Sequence, residues 1–421
     1  MSSRRLGSVV AAASAFALVL AGCSSKHHVV SSGTGPTAAA STPSSAPAST
    51  SHAPAPPASL SFSLAGNAKG VSPTTPIGVS VLNGTLSQVS MKNADGKLVA
   101  GRLAPDKQSW AVAEPLGYGK SYTISAHAVN PDGKPVAKAE SFTTVQPDNM
   151  TMPSILTAAG YSITPGATYG VGQAIDVHFD ESIPDKAAAE RALSVTTVPA
   201  QIGGWHWLDD QDVHWRPQTY FQPGTKVTVN ANVYGVQVGP GLYGQSDASA
   251  SFKIGPQQIS KVNDTERVIH VYQNGKLVRN MPTSMGKGGY ETIDGHTISF
   301  FTNSGPHIVV EKDPSVIMDS ETFGLPHAAG GYKEVVYDDV KISLDGEYVH
   351  SAPWSVWAQG HSDQSHGCLN VSPENAEWFL NFSQPGDIVD VEGTPQKLQV
   401  WNSGDWTLSW AQWTAGSALN H

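Results

Sequence analysis

The chain has 421 residues, enough for two to four domains of about 100–200 residues each. A net charge of -10 with only 14% charged residues excludes the phosphate-tracking surface of a nucleic-acid binder. Only two cysteines are present, Cys23 and Cys368, too few for a disulfide-stapled scaffold.

At the N-terminus Arg4 and Arg5 precede an apolar run from Val9 to Ala21 that is shorter than the roughly 20 residues a membrane span needs. The run stops at Leu20-Ala21-Gly22-Cys23 and turns polar at Ser24. This ending resembles a bacterial lipobox, which implies removal of residues 1–22, a lipidated Cys23 as the mature N-terminus, and a membrane partner reached through that lipid. The expected location is the cell envelope, on the plasma membrane facing the periplasm or cell wall. With Cys23 acylated, Cys368 has no partner. A lone thiol in an oxidising compartment is either buried and inert or kept for its reactivity. Residues 23–58 are dominated by Ser, Thr, Ala and Pro and read as an extended tether.

Residues 59–148 show short alternating strands broken by Asn83-Gly84, Asp95-Gly96 and Asp132-Gly133 turns. Residues 149–256 repeat the grammar: Trp110, Gly119, Tyr122-Thr123-Ile124 and Ser141-Phe142 match Trp215, Gly224, Val227-Thr228-Val229 and Ser251-Phe252. Two tandem immunoglobulin-like β-sandwiches are predicted. From residue 257 to 395 a further β-rich domain follows. Its predicted strands are Ile259–Val262, Arg267–Tyr272, Lys276–Pro282, Ile298–Thr302, Val335–Ile342, Tyr348–His350 and Ile388–Val391. Ser372-Pro373-Glu374 opens one helix through Phe382 by N-cap and N1-proline rules. Residues 396–421 carry Trp401, Trp406, Trp410 and Trp413, and are expected to fold back on the preceding domain through packing.

Chemistry concentrates between Val349 and Asn370. A cysteine thiol is only a few per cent ionised at neutral pH and needs an imidazole to attack a carbonyl. His350, His361 and His366 are the candidates. His366 stands too close in sequence to Cys368 to meet the sulfur squarely, so the amides of His366, Gly367 and Cys368 are read as an oxyanion hole, with Gly367 permitting the tight path. His350 ends a predicted strand that can aim its ring, and is the predicted base. His361 and Asp363 are read as surface loop residues. The spacing of these side chains lacks the paired short gaps of a zinc site, so no metal and no organic cofactor is expected.

His350, fourteen residues, then Ser365-His366-Gly367-Cys368-Leu369-Asn370 resembles the signature of the YkuD-type L,D-transpeptidases. The run from His350 to Ser355 and the tandem β-domains resemble the mycobacterial-type lipoprotein members. The resemblance implies that Cys368 is the nucleophile and His350 the base, with Ser351 orienting the imidazole through its carbonyl. His366 and Gly367 are implied as oxyanion and scaffold positions, and Asn370 as a support of the loop. It maps a lid onto about 318–332, bringing Met318, Phe323 and Tyr332 to the substrate channel with Trp354 and Ser365. Phe323 stands where the resemblance leads to the expectation of a tyrosine.

The function so implied is acyl transfer from peptidoglycan tetrapeptide stems, with release of D-alanine, to a diamino-acid acceptor, forming 3→3 cross-links. Carbapenem-type β-lactams are implied as inhibitors. Two other readings stand beside it: a cysteine peptidase that passes the acyl group to water, and a non-catalytic wall-binding lipoprotein.

Overall fold

The computed structural model describes residues 53–419. Cys23, the run before it and most of the expected tether lie outside the described residues. No helix among the described residues is long and apolar enough to cross a membrane.

The chain is mainly β. A first sandwich sets a four-stranded sheet (Ser59–Phe62, Gly78–Leu82, Ser109–Val112, Gly101–Leu103) against a five-stranded one (Ala68–Val71, Pro135–Thr144, Ser121–Val129, Thr85–Asn93, Leu98–Val99). Alternate residues such as Val79, Met91, Ile124 and Phe142 point inward and close its core. A second sandwich pairs Pro153–Thr157, Ile175–Phe179, Asp212–Pro217 and Gly203–Trp207 with Thr168–Tyr169, Ala248–Ile254, Lys226–Ala231 and Leu193–Val198. The internal repeat has a physical basis. Trp110 lies over Gly101 and Trp215 over Gly203, so close that a Cβ on either glycine would fall 1.9 Å from the indole. Gly119 and Gly224 both take positive φ, at +60° and +79°.

The second sandwich shares its core with the domain that follows, since Ile308, Val310 and Ile388 join the cluster of Val177, Phe179 and Phe252. Backbones meet there. Gly170 and Gly172 donate to the carbonyls of Pro385 and Gly386 at 2.7 and 2.8 Å, and a Cβ on Gly170 would sit 2.1 Å from Asp387 N.

The third domain stacks a five-stranded sheet (Lys276–Pro282, Val268–Gln273, Gln258–Asn263, Ile388–Glu392, Gly305–Ile308) on a four-stranded one (Glu311–Asp319, Lys333–Lys341, Tyr348–Ser351, Leu369–Val371). The helix Pro373–Phe382 begins at Ser372, whose Oγ accepts from Asn375 N–H at 3.3 Å. The strand expected at 298–302 is instead His296–Ser299, paired with Tyr290–Ile293. Glu311–Asp319 escapes the sequence reading because Pro314 and three acids interrupt its alternation, and it places Met318 in a strand rather than in the lid.

The tail corrects an expectation. Leu398 bonds to Ser304 O and Asn402 Oδ1 receives Asp345 N–H at 2.9 Å, so its first turn does lie on the third domain. After Gly404 it crosses to the second sandwich. Trp406 and Trp413 rings lie 4.5 Å from the buried Arg216 guanidinium and Trp410 at 5.6 Å, while their indole N–H groups donate to Gly172 O (Trp406) and Gly204 O (Trp413). A buried cation needing aromatic faces, beside unpaired carbonyls, makes that sandwich the better dock. Trp401 stays exposed.

A charged latch reinforces this dock: buried His214 bonds Asp405 Oδ1 at 2.7 Å and faces Asp176 at 3.7 Å. Burial alone would lower the imidazole, but Asp405 first and Asp176 next overturn that and lift it to about 9. Burial likewise pushes the Asp176 carboxyl up to about 7. A folded pKa above the unfolded 6.5 gives stability that is fully present below pH 6.5 and lost as pH rises through about 9. The thermal midpoint should therefore fall across that window. Asp405→Asn should flatten the fall and cost roughly 3 kcal/mol at neutral pH, the order seen when a buried pair loses one charge. An unchanged pH profile in the variant would refute the latch.

Candidate active site

Register brings the chemistry together. Tyr348–Ser351 runs parallel to Leu369–Val371, with Val349 opposite Leu369 and His350 opposite Asn370. Val349 and Leu369 enter the core, so His350 and Asn370 occupy the other face, and Cys368, two residues before Asn370, shares it.

The loop before Cys368 is tied down by its own polar groups. Ser365 Oγ donates to Cys368 O at 2.6 Å and accepts from Gly367 N–H at 3.1 Å, and Thr302 Oγ1 donates to Gly367 O at 2.7 Å. Gly367 has φ +146°, a conformation open essentially to glycine. This changes the expected oxyanion hole: the Gly367 amide is engaged by Ser365, and of the three amides those of His366 and Cys368 have no hydrogen bond among the described residues. Ser365 lines the channel, but its hydroxyl is turned into the loop.

His350 is buried, and its Nδ1 lies 3.1 Å from the Ser351 carbonyl, which fixes the proton on Nδ1 and leaves Nε2 as the acceptor. Burial drops the imidazole to about 4, against opposing bonds to Ser351 and Asn370. Asn370 in turn donates to Ser355 Oγ at 3.1 Å. His366 differs. Burial first and Lys287 second lower it to about 4, and Lys287 Nζ donates to its Nε2 at 3.1 Å, so that nitrogen is already taken.

Cys368 is a partly exposed free thiol whose S–H points to Gly346 O at 3.8 Å. Surrounding protein pushes it up to about 12; the Tyr348 N–H opposes this, while Glu347, Asp339 and Asp345 add to it. Sequence reasoning missed Glu347. Its carboxylate bonds His307 Nε2 at 2.9 Å and accepts from Asn303 N–H at 2.6 Å, holding the 345–347 turn beside Gly367. An Asp-Gly-Glu turn three residues before the base was the available signal.

Two cavities meet at Cys368, His366 and Tyr332. The larger, about 680 Å³, is lined by Phe323, Asp345 and Glu347 among others. The smaller, about 250 Å³, holds His350, Met318, Trp354, Ser365, Asn370 and Glu334. Glu334 is exposed and has no ion-pair or hydrogen-bond partner among the described residues. The connection 320–332 closes over the site. Ser320 Oγ donates to Leu325 O and accepts from Tyr332 N–H, both at 2.8 Å, and Leu325 packs on Ile298 and Phe300. Phe323 places a bare ring 6.4 Å from that of Tyr332. Asp319, Glu321 and His327 bring ligand atoms within 4.8 Å of one another, but Asp319 is shared between Lys333 and His327 as an ion-pair network.

His361 is an exposed turn residue. Asp363 is not simply solvated: it pairs with Arg267 at 2.7 Å and accepts from Met285 N–H at 3.0 Å, anchoring the loop.

Residues 68–237 match the family described as bacterial Ig domain, and residues 257–391 match the L,D-transpeptidase catalytic domain. The chain is similar to L,D-transpeptidase 2 of Mycobacterium tuberculosis, 40% identical over 362 residues that span 85% of each chain. It is 37% identical to L,D-transpeptidase 5 of the same organism, over 87% of this chain and 78% of that one. Among solved structures, L,D-transpeptidase 3 of Mycobacterium tuberculosis in complex with a faropenem-derived adduct covers 55% of this chain and 95% of its own, at 32% identity and a TM-score of 0.45. With a histidine and a cysteine on one face of a parallel strand pair, and this likeness over most of its length, the chain belongs to the L,D-transpeptidases.

Proposed function

We propose that Cys368 accepts an acyl group from a peptidoglycan tetrapeptide stem and passes it to the side-chain amine of a neighbouring stem, forming a 3→3 cross-link. The observation that carries this reading is the His350–Cys368 arrangement: a neutral thiol and a neutral imidazole with its proton fixed on Nδ1, in one cavity beside two unpaired amides. The thiol sulfur bonds to the carbonyl carbon between the third residue and the terminal D-alanine while its proton passes to His350. The amides of His366 and Cys368 receive the developing oxyanion. Collapse breaks the C–N bond, and D-alanine leaves with the proton from His350. The acceptor amine then attacks the thioester, gives its proton to His350, and restores the thiol. A carbapenem acylates the same sulfur by ring opening of its lactam. Intact-protein mass after incubation with a tetrapeptide stem tests the reading: an adduct on Cys368 of stem minus D-alanine is expected, and its absence would sink it.

Transfer to amine rather than water is favoured by Glu334, an unpartnered carboxylate in the cavity that holds His350. It attracts the ammonium of a diamino acid at the point where that group must be deprotonated. Glu334→Gln should raise the amine acceptor KM several-fold and shift products toward hydrolysis, with acylation unchanged; an unaltered product ratio would count against this role.

Anchoring at the membrane through Cys23 is part of the same proposal and rests on the Leu20-Ala21-Gly22-Cys23 ending. Cys23→Ser should move the protein from the membrane to the soluble fraction, and a variant that stays membrane-bound would exclude lipidation at this residue.

A further inference from the structure

From Ala352 to His361 the chain passes through three successive i→i+3 turns. Ser355 N–H donates to Ala352 O at 3.1 Å, Ala358 N–H to Ser355 O at 2.8 Å and His361 N–H to Ala358 O at 2.8 Å. Trp354 and Trp357 stand three residues apart on this short turn. Both are open to solvent, at 48% and 69% exposure, and Val356 between them is 48% exposed. Trp357 has no ring or hydrogen-bond partner among the described residues. By contrast Trp110, Trp207, Trp215 and Trp413 are all buried.

The turn beneath these rings is rigid. Gln359 Nε2 donates to Ala352 O, Asn370 Nδ2 to Ser355 Oγ, and Gly360 N–H to Thr283 O. A fixed backbone that holds two large apolar rings in water loses their burial and gains nothing from flexibility, which marks a contact surface. Residues 353–360 carry no charge, so the surface suits a neutral ligand with apolar faces. Its position is informative. Trp354 lines the smaller cavity, and its ring lies 6.1 Å from that of His350.

We propose that Trp354 and Trp357 form a stacking platform for the sugar rings of the glycan strand that carries the reacting stem. This rests on the acyl-transfer reading above. With the third stem residue at Cys368, about three residues separate the reacting carbonyl from the sugar, a reach of roughly 10 Å. The first ring therefore arrives at the cavity rim, where its C–H face can cover an indole. The chain then prefers stems still attached to glycan over free peptides, and the platform contributes to ground-state binding.

The test compares two donors with the same tetrapeptide, one free and one on its disaccharide, using the full chain. Wild type should show a KM about tenfold lower for the disaccharide form, a factor suited to one good aromatic contact. Trp357→Ala should erase that difference by raising only the disaccharide KM, and Trp357→Phe should restore most of it. Thermal melting and carbapenem acylation of each variant report whether fold and thiol are intact. Equal KM values for the two donors in wild type, or a Trp357→Ala effect of the same size on both, would overturn the platform. Failure of both donors to label Cys368 would overturn the acyl-transfer reading itself, and the platform with it.

Discussion

Cys368→Ala is expected to abolish D-alanine release, cross-link formation and carbapenem labelling together, while the protein melts as before. The chemical loss is complete because no other thiol lies among the described residues and the Ser365 hydroxyl in the same cavity is spent on Cys368 O. His350 with alanine beside it can activate water, but the carbonyl then has no sulfur to hold the acyl group between the two half-reactions. The fold survives for equally local reasons. The Cys368 side chain is partly exposed, and its hydrogen bond to Gly346 O is a long 3.8 Å. The loop is held by Ser365 and Thr302 through the main chain of Cys368 and Gly367, which alanine leaves in place. A stability change of about 0.5 kcal/mol or less is expected. Mass spectrometry of the acylated protein and a melting curve check both halves; residual adduct on the variant would remove Cys368 from its role.

The nearness of His350 to the Cys368 loop was legible in the sequence because it is carried by strand register. His350 and Asn370 sit opposite each other on neighbouring parallel strands, which gives the spaced His and Ser-His-Gly-Cys-Leu-Asn signature its physical basis. The sandwiches were legible for a similar reason: each tryptophan needs a glycine beneath it and strand turns at fixed offsets, and this pattern repeats within one chain. What stayed hidden depends on contacts between distant segments. His214 and Asp405 are 191 residues apart, and nothing in the tail's composition says that Arg216 awaits its tryptophans. Glu347 and Glu334 gave no periodic signal, since one satisfies buried donors in a turn and the other is an exposed strand residue. Asp363 looked solvated because its partner, Arg267, lies almost a hundred residues earlier. The engaged Gly367 amide could not be foreseen either, because Ser365 can point to substrate or to loop without any change in sequence.

Replacing His350 changes both the rate and its dependence on pH. With the thiol pushed well above its usual range, hardly any free thiolate is present at pH 7, so wild-type attack depends on His350 taking the proton as the bond to carbon forms. That requires a neutral imidazole, and burial keeps it neutral at any pH well above about 4. The sign follows directly. Below pH 4 the imidazolium cannot accept a proton and acylation falls; above it the rate should be flat through pH 8, with no second limb from the thiol in that range. His350→Ala and the volume-conserving His350→Gln should slow acylation at pH 7 by about 10²–10⁴-fold. In those variants only preformed thiolate reacts, so the rate should climb about tenfold per pH unit across the same range. Loss of β-lactam absorbance on carbapenem binding measures both profiles without an acceptor amine, whose own protonation would otherwise distort them. A wild-type profile that rises near pH 7 would mean that the pair loses its first proton near 7 and not near 4, and that burial does not hold His350 as low as argued. A flat profile in the variants would mean that another group takes the proton, and His366, whose Nε2 is occupied by Lys287, would then have to release that contact to do so.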